Sequence, residues 1–386
     1  MAEIEKFMSV SIGDIEKIMG VETGDIEKVM GVELPASVPL WLGDRAIGTG
    51  HKRIGGSQIE TRNMHYRSIS STAHTASFGD LGSIDAFGMG GVQGGGKAVF
   101  WGGQDNEGSG SSWNDDNPNQ YYVTVANLGD AALGSDMPDY SDSGNDWVGQ
   151  RFNNEGGGSN GTTGLICPSN RYLDGVQFYN GSKIFYHTIS STAACSVGGD
   201  LTAIRATAGA GGATYAFWFG GAWADDIDYV SYSSPSGNAA DWGDQVGDYI
   251  YQKATEDATR VVVWGGYAAT SNSPYASAMK YFSSVSAENA STFGNAPSVF
   301  CSSDGTSYGK YSGHAVSNGT RGEKWSGHAY TGYSGSGHCN YLGDLNIDYI
   351  TIQSTGNAAD SGYNFTDLDS DGFTWTYHEA VGVSGT

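Results

Sequence analysis

The sequence predicts an all-β protein, a β-propeller preceded by a short repetitive segment, on three observations. Gly accounts for 60 of the 386 residues, aromatic residues reach 12%, and only 16% are charged. A strand-like segment with a central Tyr recurs six times, and apolar strands ending in glycine alternate with it. Gly costs about 1 kcal/mol inside a helix, and disordered chains have few aromatics. A turn-rich β fold is the class that remains.

Charge and cysteine usage narrow the function. The formal net charge of −23 disfavours a nucleic-acid partner, because phosphates would be repelled. The four Cys are widely spaced and form no CxxC, which argues against a zinc site or a disulfide framework. The acidic start MAEIEKF does not read as a signal peptide, and no apolar run is long enough to predict a membrane-spanning helix.

The first element is a tandem of three 11-residue copies within residues 4 to 34: IEKFMSVSIGD, IEKIMGVETGD and IEKVMGVELPA. We predict three helices of one to two turns with an apolar stripe, restarted at Asp14 and Asp25 as N-caps. Helices this short need a packing partner. The predicted division is therefore a docking segment at 1–34 and a propeller at 35–386; a frayed leader is the alternative. The side chains predicted to dock are Ile4, Met8, Ile15, Met19, Ile26 and Met30.

The large repeat follows. The central tyrosines lie 43 to 68 residues apart, at Tyr66, Tyr122, Tyr186, Tyr229, Tyr281 and Tyr349. A turn of small residues, usually ending in an acid or an amide, follows each Tyr strand. Repeats of this length that contain several short strands are typical of propeller blades, because neighbouring sheets cover each other's apolar faces.

The count of units predicts six blades, with five or seven as alternatives. The unit from Ile347 has its Tyr strand and its turn, but no Trp–Gly–Gly strand follows it. The segment DRAIGTG (44 to 50) resembles that strand and stands before the first Tyr strand. We expect this N-terminal strand to complete the last blade and close the ring, which removes free sheet edges.

The pattern IDYITI, then STGNAAD, then VVVWGG resembles the kelch-like repeats of structural proteins in tailed bacteriophages, particularly marine ones. The IEKIMGV and IEKVMGV copies are similar to the short tandem that commonly precedes those units. The resemblance covers essentially the whole chain. It implies a virion component of the tail, fibre or particle surface, with other virion proteins as partners and assembly as a homo-oligomer. A subunit of a non-viral extracellular filament is an alternative.

One acidic segment suggests a metal site. TDLDSDGFTW places Asp367, Asp369 and Asp371 at alternate positions before Gly372, as in the first half of a calcium-binding loop. The closing position holds His378 and not Glu. A structural calcium ion and a solvated acidic turn both remain as interpretations, and no other cofactor is predicted.

Other patterns carry little chemistry. His314, His328, His338 and Cys339 have spacings that specify no metal, and they are predicted to be loop residues with ordinary partners. The glycine-rich GMGGVQGGG lacks the Lys–Ser/Thr of a phosphate-binding loop. We therefore predict no enzymatic activity, with a glycan-degrading propeller as the weakest alternative.

The inserted loops 104–120, 138–163 and 328–341 are rich in Tyr, Trp, Asn and Asp. Aromatic platforms beside amides and carboxylates suit sugars, and loops on a rigid scaffold commonly carry recognition. A module that binds host-surface carbohydrate is thus the second functional prediction. Filling of blade or subunit interfaces explains the same residues.

Overall fold

The structure of the 386-residue chain is a computed structural model. The structure describes residues 6–7, 10–11, 17–18, 21–22, 28–29, 32–33, 43–49, 52–54, 59–60, 63–82, 86–87, 89–94, 96–102, 104–105, 115–116, 119–138, 140–142, 145–147, 157–167, 171–173, 176–178, 182–202, 208–220, 225–245, 247, 249–250, 252–268, 277–301, 306–309, 313–330, 341–343, 345–364, 376–378 and 381–385. Within these ranges every regular element is a β-strand. The chain divides into two compact units, Met1–Leu40 and Trp41–Thr386.

The first unit contains hairpin-like strand pairs where we predicted helices. Lys17–Ile18 pairs with Val21–Glu22, and the other copies repeat this arrangement. The helix prediction is wrong for these residues. β-Branched residues favour strands, and in the second and third copies the pairing sets Lys opposite Glu. The remaining strands of this unit are Lys6–Phe7, Val10–Ser11, Lys28–Val29 and Val32–Glu33.

The second unit is a six-bladed β-propeller. Each blade is a four-stranded antiparallel sheet. From the innermost strand outward, blade 1 contains Val381–Gly385, Arg45–Thr49, Asn63–Ser68 and Ala76–Asp80. Blade 2 contains Gly90–Gly94, Lys97–Trp101, Gln120–Thr124 and Ala132–Leu133. Blade 3 contains Gly157–Ser159, Thr163–Ile166, Lys183–Thr188 and Ser196–Asp200.

Blades 4 to 6 repeat this order. Blade 4 contains Ala208–Gly211, Tyr215–Phe219, Asp226–Ser231 and Ala240–Asp244. Blade 5 contains Lys253–Glu256, Arg260–Trp264, Ala278–Ser283 and Ser291–Asn295. Blade 6 contains His314–Ser317, Arg321–Trp325, Asn346–Thr351 and Ala359–Asn364. The innermost strands contact one another in a closed ring, and each predicted Tyr strand is the third strand of its blade.

Strands from the two ends of the chain pair with each other, as the sequence predicted, but they belong to the first blade and not to the last one. Arg45–Thr49 pairs with Val381–Gly385 on one side and with the strand of Tyr66 on the other. The early strand therefore belongs to the first blade, and the C-terminal strand completes that blade. The expectation that residues 44 to 50 complete the last blade is wrong, because blade 6 supplies all four of its own strands.

The core consists of apolar layers between neighbouring blades. The second strand of several blades ends in a fully buried tryptophan, at Trp101, Trp264 and Trp325. Each indole N–H has a polar partner: Gln120 for Trp101 at 3.0 Å, and Thr255 for Trp264 at 3.1 Å. A buried indole without such a partner would be costly. The glycine after the second strand takes a left-handed conformation in blades 2 and 4, with φ of 64° at Gly102 and 74° at Gly220.

The turn between the third and outermost strands joins each blade to the one before it. In five of the six blade contacts, a side chain of this turn accepts a hydrogen bond, at 2.9 to 3.1 Å, from the main-chain N–H that ends the preceding outermost strand. This explains the acid or amide in the repeated turn. The donor and acceptor pairs are Asp80 and Asp130, Asp200 and Asn238, Asp244 and Asn289, Asn295 and Asn357, and Asn364 and His74.

The repeated tyrosine has a cation above its ring in four blades of the described structure. The base begins the second strand and lies 3.8 to 5.3 Å from the ring centroid. The pairs are Arg45 and Tyr66, Lys97 and Tyr122, Arg260 and Tyr281, and Arg321 and Tyr349. Arg260 also donates to the carbonyl of Ile352 in the next blade at 3.1 Å. The cation thus links two blades while it contacts the ring.

Candidate functional site

The long insertions lie on one face of the propeller. In an antiparallel blade the connections alternate between two ends, so those from the second to the third strand and those between blades share a face. We call this the loop-bearing face, and the opposite one the short-turn face.

Among the described residues, the loop-bearing face carries two three-stranded sheets and five two-stranded sheets. The three-stranded sheets are Lys52–Ile54 with Ile59–Glu60 and Thr376–His378, and Ala86–Phe87 with Gln104–Asp105 and Asp115–Asp116. The two-stranded sheets are Tyr140–Asp142 with Asn145–Trp147, Arg171–Leu173 with Val176–Phe178, Tyr249–Ile250 with Tyr267–Ala268, Ser298–Cys301 with Thr306–Gly309, and His328–Tyr330 with Tyr341–Gly343.

These small sheets contain parts of all three loops predicted to recognise a ligand. Within 138–163, Tyr140 lies opposite Trp147 across a hairpin. Within 328–341, Tyr330 lies opposite Tyr341. Pairing across a hairpin constrains the backbone of both loops. The third loop, 104–120, contributes two short strands to a three-stranded sheet.

The residues predicted to bind metal and to dock lie outside the described part of the chain. Asp367, Asp369 and Asp371 belong to the undescribed segment 365–375, and the six apolar docking residues are among the undescribed residues of the tandem. His338 and Cys339 are also outside the described residues. The predictions for these residues therefore stay predictions.

His314 is a core residue and not a loop residue as predicted. It begins the innermost strand of blade 6, is fully buried, and its ring stacks on Trp325 with centroids 5.9 Å apart. Gly48 of blade 1 packs on the other side, where a Cβ would lie 2.4 Å from the imidazole Cδ2. Burial holds the pKa of His314 well below its ordinary value, and the charges of Lys253 and His65 act in the same direction.

One acidic cluster was not predicted from the sequence. Asp225, Asp226 and Asp244 place three carboxylate oxygens within 4.8 Å of one another on blade 4; within the described residues, this is the group with metal-ligand spacing. Asp226 and Asp244 are opposite each other in the sheet, at its loop-bearing end. Oxygen donors in this arrangement suit a divalent cation.

In blade 3, a lysine neutralises the aspartate that corresponds to Asp244. There Lys183 lies opposite Asp200, and the two form an ion pair at 2.8 Å. Blade 4 replaces the lysine with Asp226, so two carboxylates face each other. The Asp225–Asp226 doublet before a Tyr strand was the sequence signal, but the pairing with Asp244 required the sheet register.

The contact between blades 6 and 1, which we call the closure seam, contains a buried ion pair. Arg67 of blade 1 lies 3.3 Å from Glu323 of blade 6, and their side chains are 1% and 0% exposed. Glu323 also accepts hydrogen bonds from Arg321 and from the indole of Trp325, both at 2.9 Å. Burial raises the pKa of Glu323, although Arg67, Trp325 and Arg321 oppose the shift.

Asp44 links three segments at the short-turn end of the same seam. It accepts hydrogen bonds from Ser68 and Ser70 of blade 1 and from Asn318 of blade 6. Burial alone would raise the pKa of Asp44, but these hydrogen bonds outweigh it and lower the pKa. These polar groups thus join blades 6 and 1 in addition to the apolar layer between the two blades.

None of the described residues forms a helix long and apolar enough to cross a lipid bilayer. The chain matches no known family model, and no curated protein sequence matches it.

Proposed function

We propose that this protein is a non-enzymatic structural component of a tailed-phage virion. The propeller is displayed on the tail, fibre or particle surface, and the tandem at residues 1–34 attaches it to other virion proteins. The sequence support is the likeness of both the tandem and the Tyr-strand repeats to phage structural proteins.

The separation of the two propeller faces is the observation that carries this proposal. All long insertions belong to the loop-bearing face, whereas Arg45–Thr49, the strand through which the chain enters the propeller, begins at the short-turn end. An assembly protein needs one end for attachment and another for exposure. Multiple copies in a homo-oligomer would then strengthen weak contacts made by the exposed loops.

Incorporation into particles tests the docking role. We expect the full chain in particles purified from an infected lysate, and we expect deletion of residues 1–34 to remove it. A finer variant changes Ile4, Ile15 and Ile26 to Ser, and its matched control changes the adjacent Glu5, Glu16 and Glu27 to Gln. Incorporation of the Ser variant at the level of the Gln control would contradict docking through these isoleucines. Absence of the full chain from purified particles would contradict the virion assignment.

A carbohydrate-recognition role is the second candidate, favoured by the paired aromatic residues of two inserted loops. Tyr140 with Trp147 and Tyr330 with Tyr341 stand on hairpins of the loop-bearing face. Binding of host polysaccharide without release of new reducing ends would support recognition. Release of sugar fragments would instead establish an enzyme and contradict the proposed non-enzymatic role.

A further inference from the structure

The innermost strands present one equivalent position near the short-turn face. In each blade, the residue at this position pairs with the second residue of the adjacent second strand. These residues are Gln93, Ser159, Gly211, Glu256 and Ser317 in blades 2 to 6.

Serine at this position links neighbouring blades. The hydroxyl of Ser159 donates to the main-chain oxygen of Gln93, and the hydroxyl of Ser317 donates to that of Glu256. Gly211 has no hydroxyl to offer the main-chain oxygen of Ser159. The next member, Glu256, offers only acceptor oxygens when it is ionised. Acceptors therefore accumulate where blades 3, 4 and 5 meet.

Tyr232 adds a further oxygen at this place. Its position is occupied by buried aliphatic residues in four other blades: Ile69, Val125, Ile189 and Ile352. The larger Tyr232 extends its hydroxyl to 2.9 and 3.1 Å from where a Cβ would stand on Gly158 and Gly211, so glycine is required at both. Tyr232 is only 6% exposed, and its hydroxyl has no hydrogen-bond partner in the described structure. A buried hydroxyl without a partner is costly.

Glu256 lies against the same glycine. The main-chain N–H of Gly211 favours its ionised form, but burial and the charge of Asp257 raise its pKa to about 8. The charge of Asp257 in the same blade acts on the Glu256 carboxyl, and the charge of Glu256 in turn raises the pKa of the Tyr232 hydroxyl in blade 4. These groups thus supply oxygens and negative charge.

We propose that the Glu256 carboxylate, the Tyr232 hydroxyl and the main-chain oxygen of Ser159 bind a small, hard metal cation, for which Ca²⁺ is the probe. Hard cations take carboxylate, hydroxyl and carbonyl oxygens as ligands. A cation here gives the Tyr232 hydroxyl a partner and neutralises Glu256. It also joins three neighbouring blades, in place of the serine hydroxyl that Gly211 lacks. Protons compete for the same carboxylate, so binding strengthens as the pH rises.

Thermal unfolding of the full chain tests this site at about pH 9 and about pH 6, with CaCl₂ or with NaCl of equal ionic strength. We expect CaCl₂ to raise Tm by a few degrees at the higher pH, less at the lower pH, and more than NaCl does. Glu256→Gln should abolish most of this pH-dependent shift, and Tyr232→Phe should reduce it. Asp136→Asn, which neutralises an exposed carboxylate outside both clusters, is the control and should retain it.

An equal Ca²⁺ shift in wild type and Glu256→Gln would overturn the proposal, as would a shift that NaCl reproduces. No pH-dependent Ca²⁺ shift in the wild type would overturn it as well. If Glu256→Gln does not fold, Tyr232→Phe decides, because it keeps the ring and removes only the hydroxyl. An undiminished shift in that variant would then contradict the site.

Discussion

The main-chain N–H of Asn364 donates a hydrogen bond to Nδ1 of His74 over a distance of 2.9 Å, joining the last strand of blade 6 to the turn of blade 1. Asn238, Asn289 and Asn357 accept the equivalent bond at other blade contacts. The contact between blades 6 and 1 therefore contains the same hydrogen bond from a main-chain N–H to a side chain as these other blade contacts, although a histidine replaces the asparagine as the acceptor.

Two substitutions of His74 distinguish the contribution of this hydrogen bond from that of the rest of the histidine side chain. His74→Ala should lower the free energy of unfolding by about 1 kcal/mol, because the Asn364 N–H loses its acceptor. His74→Asn should lose less, since an amide oxygen accepts the same bond in the blades that carry Asn. Urea unfolding measures both. Equal losses in the two variants would show that the hydrogen bond does not contribute, leaving only the ring contact with Tyr363 at 5.6 Å.

The buried ion pair of the closure seam should respond unequally to removal of its two partners. Glu323→Leu leaves Arg67 buried opposite no carboxylate and should cost about 3–5 kcal/mol. Arg67→Met should cost less, because Glu323 keeps Arg321 and the indole of Trp325 as donors. The double variant should recover part of the loss, since an apolar pair can replace a buried ion pair. Denaturant unfolding of all three variants tests this order, and a double variant no more stable than Glu323→Leu would refute it.

Asp44 should contribute to acid sensitivity. A carboxyl with a lowered folded-state pKa stabilises the protein above its unfolded pKa, and that contribution is lost as the pH falls through the folded pKa. Below about pH 4, wild type should therefore lose stability more steeply than Asp44→Asn. The measurement is Tm as a function of pH, from neutral to acidic, for both proteins. A constant difference in Tm between the two proteins at every pH would mean that protonation of Asp44 is not linked to unfolding.

Replacing one aspartate of the acidic cluster in blade 4 with the lysine that blade 3 carries at the same position should stabilise the protein. Asp226→Lys places a cation opposite Asp244, as Lys183 stands opposite Asp200. In EDTA, we expect a gain of about 0.2–1 kcal/mol from replacing like charges with an opposite pair. Lys183→Asp is the reciprocal variant and should be destabilising. A loss of stability in Asp226→Lys under these conditions would contradict repulsion between Asp226 and Asp244.

Ser326 should gain stability on replacement by glycine. It has a φ of 59°, in the left-handed region, at the position after the second strand where Gly102 and Gly220 have φ of 64° and 74°. Its hydroxyl is buried without a hydrogen-bond partner in the described structure. Ser326→Gly relieves both costs but adds freedom to the unfolded chain, so we expect a net gain of roughly 0.5–1 kcal/mol. Ser326→Ala removes the hydroxyl but keeps the Cβ at a positive φ, so it should gain less than Ser326→Gly in the same unfolding assay; an equal or larger gain in the alanine variant would show that backbone strain does not contribute.

The fold was largely predictable because each blade repeats its chemistry. The tyrosine strands, the tryptophan–glycine strands and the amide-containing turns all mark real elements, and six units predict six blades. The tandem was different: an 11-residue period with an apolar stripe suggested helices, whereas strand pairing of Lys17 with Glu22 occurs in the structure. Spacing alone does not distinguish these when each element is only a few residues long.

The sequence alone was sufficient for the all-β class and the repeated blade, because alternation, aromatic content and turn residues act locally. The tertiary structure decided which end of the chain completes which blade, that Asp226 meets Asp244, and that Tyr232, Gly211 and Glu256 converge near the ring axis. Those relationships depend on strand register and on contacts between residues distant in the chain. A single sequence carries the residues of such contacts but not their pairing.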